Sequence, residues 1–168
     1  MMLLAALSLA APLLAGGGDV RPVAHVEDLR CGAASLRMTS HAVPGTTAPV
    51  AQSLTRRAGG KRVAVALEKG GTVLVDGHRV RNSYVISWAC LTGARKAHYV
   101  LLGYNCAIDT GYPHDCDGEK EWFRLLDTRG RFADAGVPHD GDARDRLYKR
   151  LGIGAAVDAG VKMTTVVD

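Results

Sequence analysis

The sequence has none of the short motifs that mark the commonest enzyme sites. It contains no GxSxG or HExxH string, no phosphate-binding loop and no dinucleotide fingerprint. Its four cysteines include no CxxC pair, which disfavours a zinc site. The net charge is +4, but the basic residues form no continuous tract, which disfavours a nucleic-acid partner. We therefore expect a protein that is not an enzyme, with no cofactor, no metal and no bound nucleic acid.

Long hydrophobic runs are also absent. Residues 1–15 are apolar except for Ser8, and three glycines follow them. This run is shorter than the roughly 20 residues that cross a bilayer, and its small-residue exit is typical of a secretory signal peptide. We expect residues 1–17 to be a signal peptide and 18–168 to be a single domain, periplasmic or secreted, with no membrane contact after signal removal. The alternatives are an ordinary apolar N-terminal helix or a wrongly assigned start.

The four cysteines fit an oxidising compartment. An even number of cysteines in a short exported chain indicates disulfide bonds, here two. Three pairings are possible, and the short loop between Cys106 and Cys116 favours that pair, which leaves Cys31 with Cys90. By the chain-entropy argument each bond would contribute roughly 2–4 kcal/mol.

Alternation of apolar and polar residues predicts mostly strands. The predicted strands are residues 31–38, 62–68, 72–75, 80–91, 97–106, 121–127 and 161–167. Asp76-Gly77 is a hairpin turn signal, and a second hairpin joins 121–127 to 131–133. Residues 97–106 are apolar on both faces, which indicates a central strand. Within 80–91 the alternation places Tyr84, Ile86 and Trp88 on one face and Val85 on the other.

The remaining segments predict few regular elements. Residues 19–30 are interpreted as a polar entry segment, and 40–60 as a long surface loop with one helical turn at 50–57. Residues 142–151 are the best helix, with Asp142 as N-cap and Gly152 as terminator. The predicted fold is α+β: a mostly antiparallel sheet of five or six strands with one or two packed helices and two disulfides.

Carboxylates and histidines suggest two alternative chemistries. Acidic residues crowd one region and could serve a hydrolase; they are Asp109, Asp115, Asp117, Glu119 and Glu121. The string PHDCD at 113–117 recurs as PHDGD at 138–142, so a divalent ion could be shared by His114, Asp115, His139 and Asp140. Ordinary turn chemistry explains both strings more simply, and we favour it.

The segment Cys106–Cys116 is the strongest functional candidate. If its cysteines bond, it is a closed ring presenting Tyr112, Pro113, His114 and Asp115. A ring that is rigid beforehand loses little entropy when it binds a partner. A histidine at its tip can hydrogen-bond an acidic catalytic residue of a target enzyme.

The string Pro113-His114-Asp115-Cys116, with an upstream cysteine after an apolar strand, resembles the inhibitory loop of Ivy-type inhibitors of vertebrate lysozyme. The resemblance covers four residues and one cysteine, and the loop here is several residues longer. It implies an exported protein with an antiparallel sheet, in which His114 blocks the target, Asp115 lies beside it, and Cys106 and Cys116 hold the loop.

We therefore expect a small exported domain that binds a protein partner, a hydrolase or a toxin, as an inhibitor or an immunity factor. One alternative is a structural exported domain whose ring only stabilises the sheet. A second is a metal-dependent or carboxylate-based hydrolase.

Overall fold

Ten strands and two helices make up the computed structural model, which describes residues 20–107, 116, 121–138 and 141–167. The strands are β1 Val23–Cys31, β2 Ala34–Ala42, β3 Ala51–Ala58, β4 Lys61–Val65, β5 Thr72–Val75, β6 His78–Arg81, β7 Ser83–Thr92, β8 His98–Cys106, β9 Glu121–Asp127 and β10 Thr164–Thr165. The helices are α1 Gly141–Leu151 and α2 Gly154–Asp158, and a 3-10 turn spans Ala94–Lys96.

All strand pairs are antiparallel and form two four-stranded sheets and a hairpin. The first sheet has the order β1-β2-β3-β4, a simple meander, and the second has the order β10-β7-β8-β9. The β5–β6 hairpin turns at Asp76 and Gly77, which both have positive φ, as a two-residue type I′ turn requires. The hairpin predicted at this dipeptide is confirmed.

The two sheets pack face to face around the main core. Its side chains come alternately from the first sheet, with Leu36, Met38 and Leu54, and from the second, with Trp88 and Leu102. Each of these side chains is fully buried, and burial of one such side chain stabilises the fold by roughly 1.5–3 kcal/mol. The Cys31–Cys90 disulfide joins β1 to β7 across this core, with the two Cα atoms 5.2 Å apart.

The helices cover the other face of the second sheet. Leu147 and Tyr148 of α1 pack on Leu101 and Leu125, together with Ile153 from the α1–α2 junction. The helix ends at Gly152, whose φ of +72° lets its N–H reach the carbonyl of Lys149. The layer order is therefore sheet, sheet, helices.

Strand β8 is central, as its two apolar faces predicted. It lies between β7 and β9. Val100, Leu102 and Tyr104 face the first sheet, while Tyr99 and Leu101 face the helices.

The alternation expected in β7 is wrong for Trp88. The pairing of β7 with β8 shifts register between Val85 and Ser87, which marks a bulge at Ile86. The extra residue moves Trp88 onto the same core-facing side as Val85, and both belong to the inter-sheet core.

The α+β class is confirmed, but the expected five or six strands in one sheet are too few. The entry segment 19–30 contains strand β1, and the supposed loop 40–60 contains strand β3 instead of a helical turn. Only Leu54 of β3 is a buried apolar residue, so the local pattern of this strand is weak. It is formed because β2 and β4 both pair with its backbone.

The predicted helix is present as α1, one residue longer at its start. Asp142 lies in the first turn of this helix and is not the residue that precedes it. Its carboxylate there still faces the positive end of the helix dipole. The strand predicted at 161–167 is the short β10.

Among the described residues, no helix is both long enough and apolar enough to cross a membrane. The predicted signal peptide, residues 1–17, lies outside the described residues, so the export prediction and the domain boundary at 18 stay predictions.

Candidate protein-binding loop

The base of the Cys106–Cys116 ring is part of the sandwich core. Cys106 ends the central strand β8 and bonds to Cys116, with the Cα atoms 6.0 Å apart. Cys116 is only 3% exposed and packs in the inter-sheet core. Together with the Cys31–Cys90 bond, this gives both disulfides that the cysteine count predicted. The two cysteines that bound the ring are therefore joined to each other at the edge of the core.

Asn82, between β6 and β7, holds Ala107, the residue of the ring that follows Cys106. Its carbonyl accepts a hydrogen bond from the Ala107 N–H at 2.8 Å, and its own N–H donates to the carbonyl of Gly71. The residue is 1% exposed. The start of the ring is therefore held by the same backbone that joins the β5–β6 hairpin to the second sheet.

The predicted contact residues Tyr112, Pro113, His114 and Asp115 lie outside the described residues. Their role as the partner-binding surface stays a prediction. The same is true of His139 and Asp140, so the metal site suggested by the repeated PHD string is also untested.

A stacked aromatic pair lies in the core near the ring. The rings of Tyr104 and Trp122 are 5.3 Å apart and nearly parallel. The Tyr104 hydroxyl accepts a hydrogen bond from the Glu68 N–H at 3.1 Å, and burial raises the pKa of this phenol. The Trp122 indole N–H donates to the Glu68 carboxylate at 2.8 Å. Both side chains of this stacked pair therefore bind one residue of the β4–β5 connection.

Glu68 also begins a line of buried charges. It forms an ion pair with Arg124 of β9, and Arg124 donates from its Nε to Asp134 at 3.1 Å. The Asp134 carboxylate accepts a further hydrogen bond from the Leu125 N–H at 2.8 Å. The Arg124 guanidinium lies 4.4 Å from the centre of the Phe132 ring. Glu68, Arg124 and Asp134 are 20%, 11% and 6% exposed, so one guanidinium holds two carboxylates in a largely dry place.

This charge line was missed at the sequence level. In the sequence, Arg124 is a single charge inside the apolar strand 121–127, and a charged residue in such a strand needs a buried counter-ion. Glu68 and Asp134 lie in irregular segments. The return of the chain along β9, where the Ala133 N–H donates to the Leu125 carbonyl, brings Asp134 to Arg124, and the packing of the two sheets brings Glu68 there.

Side-chain amides and hydroxyls link the sheets near the β7 bulge. Gln52 of β3 accepts a hydrogen bond from the Val85 N–H and donates to the Val85 carbonyl, both at 2.8 Å. The same amide donates to Ser40, whose hydroxyl donates to the carbonyl of Val166 at 2.8 Å. The backbone groups that the bulge leaves unpaired are therefore satisfied from the opposite sheet.

The described part of the chain has one group of side chains with the spacing of metal ligands. Sulfur atoms of Cys31 and Cys90 lie near His98, all within 4.8 Å. The sulfurs are bonded to each other, and a ring nitrogen of His98 lies 3.2 Å from the Thr92 hydroxyl. In this oxidised form the cysteines are not available as ligands.

Comparison with known proteins gives no relative: no protein-family model, no curated protein and no solved structure matches this chain.

Proposed function

We propose that this protein is an exported protein-binding domain that acts on a secreted or periplasmic enzyme, as an inhibitor or an immunity factor, through the Cys106–Cys116 ring. The observation that carries the proposal is the anchoring of the ring. Both of its ends are fixed to the core, by the disulfide and by the Asn82–Ala107 hydrogen bond. Such a ring loses less conformational entropy on binding than a free loop does.

The charge of the ring segment indicates the kind of partner. Residues 106–121 carry five carboxylates and one lysine, although the whole chain has a net charge of +4. An acidic segment attracts a basic surface, and complementary charge speeds association. A basic hydrolase is therefore the preferred class of target, in line with the Ivy-type resemblance of Pro113-His114-Asp115-Cys116.

The test measures inhibition and direct binding with the purified chain, using a vertebrate lysozyme and a panel of basic cell-wall hydrolases. We expect nanomolar to micromolar inhibition of at least one enzyme by the native chain, and loss of binding by tenfold or more, about 1.4 kcal/mol, for His114→Ala. His98→Ala is the matched control, because His98 begins strand β8, at the end of the strand opposite Cys106. It should leave binding unchanged.

Opening the ring gives the second arm of the test. The pair Cys106→Ser and Cys116→Ser should weaken binding while the Cys31–Cys90 bond keeps the sheets joined. Undiminished binding by His114→Ala would disprove the role of the histidine. Failure to bind any enzyme of the panel would contradict the inhibitor assignment and favour the structural alternative.

A further inference from the structure

Four turns meet at the end of the sandwich opposite the ring. They are the β1–β2 turn after Cys31, the β3–β4 turn at Gly59-Gly60, the β7–β8 turn around Ala94–Lys96 and the turn after Asp127. The Cys31–Cys90 bond ties the first to the third. Strand β8 runs from this end to the ring, a distance of about 27 Å for its nine residues. We call this region, residues 28–37, 55–64, 92–98 and 127–131, the turn end.

Strand pairing places the β1–β2 and β3–β4 turns at one end of the first sheet, and the other two turns at one end of the second sheet. Two close approaches relate these ends of the two sheets. A Cβ on Gly32 would lie 2.3 Å from the His98 ring, which places the β1–β2 turn on the start of β8. A Cβ on Gly130 would lie 2.7 Å from Val65 and 3.5 Å from Arg56, which places the turn after β9 against the first sheet.

The turn end holds much of the positive charge of the molecule. Ten basic side chains lie in it against two carboxylates, Asp28 and Asp127; the ten are Arg30, Arg37, Arg56, Arg57, Lys61, Arg62, Arg95, Lys96, Arg129 and Arg131. Eleven basic and fifteen acidic residues remain for the rest of the chain. The turn end therefore carries a net +8 and the rest of the chain a net −4. Charges that are dispersed along the sequence are brought together by the antiparallel pairing.

Several of these cations are held close together without enough counter-charge. Arg57 and Arg62 lie directly opposite each other in the β3–β4 pair, a like-charge arrangement that destabilises a sheet. Asp28 serves two cations at once, with Arg37 at 2.6 Å and Arg62 at 3.2 Å. Arg30, Arg57 and Arg129 are exposed. An external anion bound here would relieve this repulsion.

We infer that the turn end is a docking surface for a membrane rich in anionic phospholipid. Its cations come from four separate turns of two sheets, so they form a two-dimensional set and not a single row. A planar array of phosphates can contact all four turns, whereas a linear polyanion follows a stripe or a groove. Arginine predominates among the ten, and its guanidinium binds phosphate oxygens in pairs.

Exposed side chains argue further for a lipid surface over single-stranded nucleic acid. Proteins that bind single strands stack the bases on exposed aromatic rings. In the described part of the chain the one large exposed aromatic residue is Phe123, outside the turn end on β9. Whereas the dispersed sequence charges predict no membrane partner, the folded arrangement favours one.

The experiment measures binding of the full mature chain to vesicles of phosphatidylcholine, with and without about a third phosphatidylglycerol. We expect binding only to the anionic vesicles, weakening steeply as salt is added. The double reversal Arg57→Glu with Arg62→Glu should raise the apparent Kd by about tenfold or more. The matched control, Lys69→Glu with Arg79→Glu, makes the same change of net charge away from the turn end and should change the Kd less than about threefold.

A milder pair, Arg57→Gln with Arg62→Gln, keeps the test valid if the reversed pair does not fold, and circular dichroism checks each variant. Equal losses of vesicle affinity in the turn-end variant and the control variant would overturn the proposal. Absence of binding to anionic vesicles at low salt would overturn it as well. Tighter binding to duplex DNA than to vesicles at equal phosphate concentration would assign the surface to nucleic acid instead. Because the ring is not altered, none of these outcomes depends on the proposed inhibitor function.

Discussion

The two sheets are joined by different means at the two halves of the molecule. At the turn end a covalent bond, Cys31–Cys90, links β1 to β7. Toward the ring the links are polar: Glu68 to Trp122 and Arg124, and Gln52 to Val85. A disulfide acts mainly by restricting the unfolded chain, whereas a buried polar link acts only in the folded state and is costly when one partner is lost. The turn end should therefore tolerate crowded like charges, while the ring half depends on complete polar pairing.

We expect the largest loss of stability when a buried polar link toward the ring is removed. Arg124→Met removes a cation that pairs with both Glu68 and Asp134, so two largely buried carboxylates each lose an ion pair. We expect a loss at the upper end of the roughly 3–5 kcal/mol that follows when a buried ion pair loses one partner. Urea unfolding measures this loss. The triple variant with Glu68→Gln and Asp134→Asn should recover more than half of it, because it removes the charges that have lost Arg124 as a partner. No recovery would show that packing of Arg124, and not charge, is what matters.

We expect the second largest loss of stability when a disulfide bond is removed. Cys31→Ala with Cys90→Ala opens a loop of 59 residues and should cost about 4 kcal/mol, mostly by freeing the unfolded chain. Cys106→Ala with Cys116→Ala opens a separation of 10 residues and should cost just under 3 kcal/mol by the same relation. Both losses are read from denaturant unfolding under oxidising conditions. A larger loss from the ring pair would mean that Cys116 contributes chiefly through its packing in the core.

The smallest effect concerns the two carboxylates of the turn end. The hydrogen bond from Arg37 holds the pKa of Asp28 below its usual value. Burial would raise the pKa of Asp127, but hydrogen bonds from Arg131 and Arg129 outweigh it and lower the pKa. Folded-state values below the unfolded ones stabilise the fold at neutral pH, and this contribution is lost as the pH falls through the lowered values.

Asp28→Asn and Asp127→Asn should therefore each lower the free energy of unfolding at neutral pH, by less than about 1 kcal/mol for the half-exposed Asp28. The difference from the native chain should vanish at strongly acidic pH, where all the carboxylates are protonated. Unfolding curves over the acid range measure it. A difference in the free energy of unfolding that persists in acid would indicate that the substitution acts through packing and not through charge.

The sequence predicts the parts of this fold whose signals are local. The apolar run of β8, the Asp76-Gly77 turn and the terminator Gly152 each act through their own residues, and each was placed correctly. Strands β1 and β3 were missed because their polar, half-exposed sequences become strands only through pairing with β2 and β4. The bulge at Ile86 has no local signal, since it depends on how β7 meets β8.

The two proposed functional surfaces differ in the same way, since one has a local signal in the sequence and the other depends on the fold. The ring was recognisable because its two cysteines lie ten residues apart in the sequence. The turn end was not, because Arg30, Arg57, Arg62 and Arg129 are far apart in the chain and become neighbours only through antiparallel pairing and the packing of two sheets. Dispersed charge in a sequence is therefore poor evidence of dispersed charge on a surface.

The contact between Gln52 and Val85 has a consequence for dynamics. The carboxamide offers the Val85 peptide one donor and one acceptor, as a neighbouring strand would. The Val85 amide proton is thus held by a side chain of the opposite sheet. It can exchange with solvent only when the two sheets move apart, whereas the amides within each ladder can stay protected during that movement. Hydrogen exchange at this single peptide would report the opening of the sandwich as an event separate from the unfolding of either sheet.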